Sequence, residues 1–201
     1  MNVANPVPVQ QTPLHAEMIR KAIHAAVALT PVAYAFSWIS RSALIVVLLV
    51  ASGIALAIEL FRRIVPSVRV RFNSIFGMLL RPRERSRITG ATWLAISCLA
   101  AVVLLPRHAA IAALWCATAG DTGAAVVGRT IGPAGGGRKT FVGSAAFFAI
   151  AMAGIIYLAA FPPLRAMTIA LIAMVAERYA GRIDDNVVVA VVSGATAWGL
   201  S

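Results

Sequence analysis

Ser42-Ala43-Leu44-Ile45-Val46-Val47-Leu48-Leu49-Val50-Ala51-Ser52-Gly53-Ile54-Ala55-Leu56-Ala57-Ile58 runs without a charge until Glu59 and closes with Leu60. A stretch of that length and composition has the roughly 20 apolar residues that a membrane-crossing helix needs. Six more apolar segments surround it, at 22–40, 89–105, 109–128, 141–161, 164–180 and 187–201. Together they predict an all-α, polytopic membrane helix bundle of about seven transmembrane helices, in one domain over 17–201. Pro31 should kink the first segment, and Phe161-Pro162-Pro163 separates the fifth from the sixth. Residues 1–16 form a polar tail expected to be unstructured.

Composition excludes the soluble alternative. The 201 residues are 60% hydrophobic and only 12% charged, against about 25% charged in a soluble domain. The mean hydropathy is +0.86. Eighteen Lys and Arg stand against seven Asp and Glu, a formal +11. In a membrane chain such an excess points to topology and to anionic lipid or phosphate partners. No basic, aromatic-rich module supports nucleic-acid binding. Cys98 and Cys116 lie inside apolar runs without a CxxC neighbour, so they are expected to be packing residues. The segment ending in Ala33-Tyr34-Ala35 loosely imitates a signal peptide, but its polar residues Arg20, Lys21 and His24 have another explanation below.

With the N-terminus in the cytoplasm, the inner side collects Arg20, Lys21, the eight arginines from Arg62 to Arg87, Arg129, Arg138, Lys139, Arg178 and Arg182. The outer side keeps Arg41, Arg107 and Arg165. Positive charge concentrated inside sets the orientation, with the C-terminus outside. Glu17, Glu59, Glu84, Asp121, Glu177, Asp184 and Asp185 fall on that same inner side. Orientation does not require acids there, whereas a shared polar site would. The 62–88 connection is a basic cytoplasmic loop in which Phe72, Ile75, Phe76 and Leu79 share one helical face. An interfacial helix on the inner leaflet is expected, or an ordinary basic loop with a hydrophobic anchor.

Asp121 lies twelve residues into its segment, about 18 Å from the outer face. That leaves it roughly 10 Å inside a hydrocarbon core some 30 Å thick. An acid at that depth marks a site by default; the plainer alternative is a tether to Arg129. Glu177 and Asp184-Asp185-Asn186 add carboxylates near the surface. Carboxylates beside excess arginine suit a polyphosphate with Mg²⁺, although a solvated helix end would look similar. The 128–143 loop places a Gly-rich backbone before Arg138-Lys139-Thr140, able to wrap anionic oxygens. It is not a P-loop, because Arg138 intervenes between Gly137 and Lys139 and the loop joins two helices; a flexible linker is the other reading. Glu17, Arg20, Lys21 and His24 share one helix face.

Gly120-Asp121-Thr122-Gly123 through Gly128-Arg129, then Lys139-Thr140-Phe141-Val142-Gly143-Ser144-Ala145, resembles the signature of CTP-dependent lipid-alcohol kinases. That family includes dolichol kinase, phytol kinase and CTP-dependent diacylglycerol kinase. Arg20-Lys21-Ala22-Ile23-His24 is similar to the family's first motif. Phe72-Asn73, Leu80-Arg81-Pro82 and Thr89-Gly90-Ala91-Thr92 are similar to the stretch ahead of its third helix. Glu177 with Asp185-Asn186 is similar to its closing acidic motif. The resemblance runs from about residue 17 to the C-terminus. Phosphatidate cytidylyltransferases share part of this arrangement, but their long acidic, Gly/His-rich closing signature has no counterpart here.

The resemblance implies an integral membrane kinase that transfers the γ-phosphoryl of CTP to a polyprenol, phytol or diacylglycerol, with Mg²⁺ as cofactor. It implies Asp121, Glu177 and Asp185 as catalytic and metal-holding residues. Arg20, Lys21, His24, Arg129, Arg138, Lys139, Thr140, Ser144 and Asn186 would hold the nucleotide. Phosphoryl transfer asks mostly for positioning and charge neutralisation, which these residue types supply. The compact chain suggests a prokaryotic inner membrane. A small anion transporter is the contrasting class, but the polar residues crowd one face instead of the midplane where transporter sites lie.

Overall fold

The computed structural model describes residues 14–131, 139–181 and 183–201, and among these all regular structure is helical. Arg138 with the rest of 132–138, Arg182, and the Glu17 side chain lie outside the described residues. The helices are α1 Leu14–Val27, α2 Leu29–Ala35, α3 Arg41–Ile64, α4 Pro66–Phe76, α5 Gly90–Leu104, α6 Arg107–Trp115, α7 Asp121–Thr130, α8 Phe141–Tyr157, α9 Pro163–Tyr179 and α10 Asp185–Gly199. A 3₁₀ turn at Pro82–Arg85 precedes α5, and a π turn at Cys116–Gly120 joins α6 to α7. Among the described residues two helices are long and apolar enough to cross a membrane: α3, and the continuous run Arg107–Thr130.

These two helices sit differently in the fold. In α3 only a stripe is buried, Leu44, Leu48 and Ser52 and then Glu59 and Arg62, facing α5. Val46, Leu49, Val50 and Ile54 are more than half exposed. A contiguous apolar surface of that extent is unfavourable in water and suits a hydrocarbon surround. The α6–α7 run is instead central. Ala109 to Leu114 are all buried, packed against α10 through its small residues Ala190, Ser193, Gly194 and Ala197. Small side chains bring helix backbones close, and dispersion then holds the contact where water supplies no drive. Cys98 and Cys116 are buried, free and part of this packing.

Several boundaries differ from the sequence expectation. The first segment is two helices, not one kinked helix. Pro31 has no N–H to donate to Val27 O, and the Thr30 hydroxyl takes that carbonyl instead, so the break falls at Ala28. Helix α1 begins at Leu14, inside the stretch expected to be unstructured. Arg62 and Arg63 belong to the last turn of α3, not to a loop. The amphipathic helix starts at Pro66, whose missing N–H costs nothing at a first helical position, and it stops at Phe76, short of Leu79.

At the end opposite the carboxylates, basic side chains close helix C-termini. Arg41 donates to the carbonyls of Val102 (3.1 Å) and Val103 (3.0 Å) at the end of α5. Arg107 donates to Tyr34 O at 2.8 Å at the end of α2. Both satisfy orphan carbonyls and complement the helix dipole.

Helices α7 and α8 cross through two glycines. A Cβ on Gly143 would stand 2.7 Å from Ala124 O and 3.3 Å from Gly128 Cα. Those are backbone atoms, which no rotamer change can move. Gly143→Ala is expected to cost about 1–3 kcal/mol of stability by overpacking. The control is Gly53→Ala in α3, where nothing lies within 4 Å of the added carbon and stability should hold or rise slightly. Thermal unfolding of the detergent-purified variants measures the difference.

Candidate functional site

Among the described residues, Glu84, Asp121, Glu177, Asp184 and Asp185 gather at one pole of the bundle, at the starts of α5, α7 and α10 and the end of α9. The π turn decides where Asp121 points. It inserts one extra residue into a helical turn, rotating all that follows by about 100° relative to an uninterrupted helix. The turn is itself buried, with Gly120 so close to Phe147 that a Cβ would meet its ring at 3.0 Å. Asp121 thereby faces α1, whose buried Lys21 and His24 lie one turn apart on the same face. Lys21 Nζ makes a direct ion pair with Asp121 Oδ2. His24 Nδ1 lies 3.8 Å from that oxygen, is itself buried and has no hydrogen-bond partner. The alternative reading, a tether between Asp121 and Arg129, does not form among the described residues. Arg129 is exposed near the end of α7 and makes no hydrogen bond or ion pair among the described residues.

A second pairing stands beside the first. Lys139, just before α8, lies 2.6 Å from Glu177 Oε1 and 3.5 Å from Asp185 Oδ2, and also donates to Glu177 O. Its side chain is 36% exposed, while those of Glu177 and Asp185 are 6% and 14% exposed. Glu177 is within electrostatic reach of Asp121 and Asp185, and Asp121 of Arg81, so the two pairings form one cluster. Arg81 Nη1 lies 3.9 Å from Asp185 Oδ1.

The start of α10 ties this cluster to the start of α5. Asp184 caps α10 by accepting from Asn186 N at 3.1 Å. Asn186 Nδ2 donates to Gly90 O (3.2 Å) and Asp184 Oδ1 (2.8 Å), which leaves Asn186 Oδ1 buried without a partner. Burial, and then the Asp185 carboxylate beside it, push the Asp184 carboxyl above its ordinary range. Gly90 N donates to Glu84 Oε1 at 2.9 Å, and Arg20 Nη1 lies 3.7 Å from the same oxygen. Arg20 therefore pairs with Glu84.

Two expected nucleotide residues are engaged by the fold. Thr140 caps α8, its hydroxyl accepting from Gly143 N at 3.0 Å. Ser144 Oγ is buried and accepts from Arg178 Nη1 at 3.0 Å, while that guanidinium stacks over Phe141, 4.1 Å from the ring centroid. Arg178 was legible only as a charge at a helix end. Glu84, Arg81 and Gly90 also join the cluster without having been singled out as site residues. Glu84 sits in a turn whose 3₁₀ geometry has no periodic signal, and Arg81 and Gly90 carried weight only within family motifs.

The donor set is right in type for a hard cation, since Mg²⁺ takes carboxylate oxygens. Its arrangement does not fit one. Among the described residues no three His, Cys, Asp or Glu side chains converge as ligands, and an ammonium lies against each of Asp121, Glu177 and Asp185. As they stand, Asp121, Glu177 and Asp185 are held in two lysine–carboxylate pairings. No protein family, curated protein or solved structure matches the chain.

Proposed function

We propose that the chain is a multi-pass membrane enzyme that transfers the γ-phosphoryl group of CTP to a lipid alcohol at the cytoplasmic face. Seven crossings would be made by α1–α2, α3, α5, α6–α7, α8, α9 and α10, with the N-terminus inside, the C-terminus outside and the site at the inner pole. The cell membrane, in a prokaryote the inner one, is the proposed location. The observation that carries the proposal is the pair of lysines, Lys21 and Lys139, each held against carboxylates at one pole of an apolar bundle.

Phosphates compete for those ammonium groups. A bound triphosphate would draw Lys21 and Lys139 away from Asp121 and from Glu177 and Asp185, with Arg81 and Arg129 adding charge around it. The freed Asp121 carboxylate would take the proton of the acceptor hydroxyl. The alcohol oxygen bonds to Pγ, the bond from Pγ to the bridging oxygen breaks, and CDP leaves. Mg²⁺ enters with the nucleotide, as part of the Mg–CTP substrate, and there it neutralises phosphate charge. The orphaned Asn186 Oδ1 and His24 Nδ1 supply polar partners for nucleotide or hydroxyl, since a buried polar atom left unpaired is costly.

The test is transfer of label from γ-labelled CTP, and separately ATP, to polyprenol, phytol and diacylglycerol by detergent-purified protein with Mg²⁺. Asp121→Asn and Asp121→Ala serve as controls. Labelled lipid from CTP that disappears in both controls supports the proposal and names the acceptor. A CDP-lipid formed from α-labelled CTP would replace it with cytidylyl transfer. No product with any acceptor or nucleotide would overturn it, and anion transport would be measured next.

A further inference from the structure

Away from the lysine–carboxylate cluster, Arg62, Arg63, Arg69, Arg85 and Ser86 line a cavity of about 260 Å³. Four guanidiniums and one hydroxyl form its walls, contributed by the end of α3, by α4 and by the 3₁₀ turn. Two of the arginines are fixed by the fold. Arg62 Nη2 donates to Glu84 O at 3.0 Å and also to Arg87 O, while Arg69 donates to Arg62 O at 3.1 Å and Arg63 O at 2.8 Å. The other two face outward: the Arg63 side chain is 49% exposed, and Arg85 is exposed. Among the described residues, Glu59 is the carboxylate paired with any of the four, at 2.6 Å from Arg62 and 4.0 Å from Arg63. Glu84 turns its carboxylate the other way, to Arg20 and to the N–H groups of Arg81 and Gly90. Like charges so close repel one another, and one carboxylate does not balance four guanidiniums.

We propose that this cavity binds the phosphate of an anionic phospholipid. Guanidinium forks match phosphate oxygens with paired, charge-assisted hydrogen bonds. The volume, about 260 Å³, is of the size of a lipid headgroup, below the roughly 300–1,000 Å³ of sites that enclose a whole small molecule. The neighbouring helix says where the ligand comes from. Helix α4 buries no residue, and Val70, Ile75, Phe76 and Met78 at and just beyond it are 70, 61, 43 and 54% exposed. Such a surface beside a basic rim lies in the headgroup boundary of a leaflet, which puts a lipid phosphate within reach of Arg63 and Arg85. Arg62 also holds the backbone of Glu84, whose carboxylate bonds Gly90 and Arg20, so an occupied cavity would brace the loop that adjoins the candidate site.

Native mass spectrometry and thermal unfolding of the full chain in non-ionic detergent test this without nucleotide or lipid alcohol, so the outcome is independent of the kinase proposal. The probes are phosphatidylglycerol, phosphatidylcholine and inorganic phosphate, on wild type and on Arg63→Gln/Arg85→Gln. Phosphatidylglycerol should form retained adducts and raise the unfolding temperature. Phosphatidylcholine, whose ammonium the arginines repel, should do so far less. The double variant should unfold as wild type without lipid and lose roughly tenfold or more in phosphatidylglycerol affinity. Equal binding of the two lipids, or undiminished phosphatidylglycerol binding by the variant, would overturn the proposal. Inorganic phosphate reproducing the whole effect would overturn the lipid as its source.

Discussion

Asp121→Ala is expected to abolish the proposed phosphoryl transfer and, separately, to cost about 3–5 kcal/mol of stability. The second effect follows from what remains. Lys21 is 2% exposed, and without its carboxylate it becomes a buried charge with no ion-pair partner among the described residues. Replacing both partners by apolar residues of similar volume removes that penalty and is often neutral or stabilising. Lys21→Met/Asp121→Leu should therefore regain most of the lost stability while remaining inactive, which separates the chemical role from the packing role. Thermal unfolding in detergent with the γ-labelled CTP assay reads both. A double variant as unstable as Asp121→Ala would show that the pair is not the source of the cost. An active Asp121→Ala chain would remove the carboxylate from the proposed mechanism.

Lys139→Met should lower the rate of the proposed transfer about 10²–10³-fold, the scale of losing one group that stabilises transition-state charge. Lys139 is exposed enough to meet a nucleotide, yet it holds two carboxylates, and it also bonds a backbone carbonyl as a compact point donor. Lys139→Arg should recover part of the rate, because it restores the charge but not that geometry. A purely structural role predicts another pattern. Lys139→Met would then lower the unfolding temperature, and Lys139→Met/Glu177→Gln would recover both stability and rate by removing the stranded carboxylate. Steady-state kinetics over a range of CTP concentrations, paired with unfolding curves, distinguishes the two.

The legible part of the fold follows from one-dimensional features. Apolar length predicted α3, α5, α8, α9 and α10 to within a few residues, because a helix in an apolar surround needs only enough consecutive apolar residues to satisfy its own backbone. Asp121, Lys21, Lys139, Glu177, Asp185 and Asn186 stood out because polar groups are conspicuous against such a background, and they do gather at one pole. Arg129 stood out for the same reason but remains at the surface. Charge in a sequence shows what a residue could pair with, not what it reaches.

Partnership was decided in three dimensions. The π turn at Cys116–Gly120 has no compositional mark, yet its extra residue turns Asp121 toward α1, a hundred positions away in the chain. Whether Lys139 meets Glu177, and whether Arg62, Arg63, Arg69 and Arg85 converge on one cavity, depends on how α8 crosses α7 and how the 62–88 connection folds back. By itself the sequence determined that the chain is helical and apolar, with its acids on one side. The tertiary structure alone decided which acid faces which cation, because ion-pair geometry depends on the rotation of each helix about its axis, and packing sets that rotation.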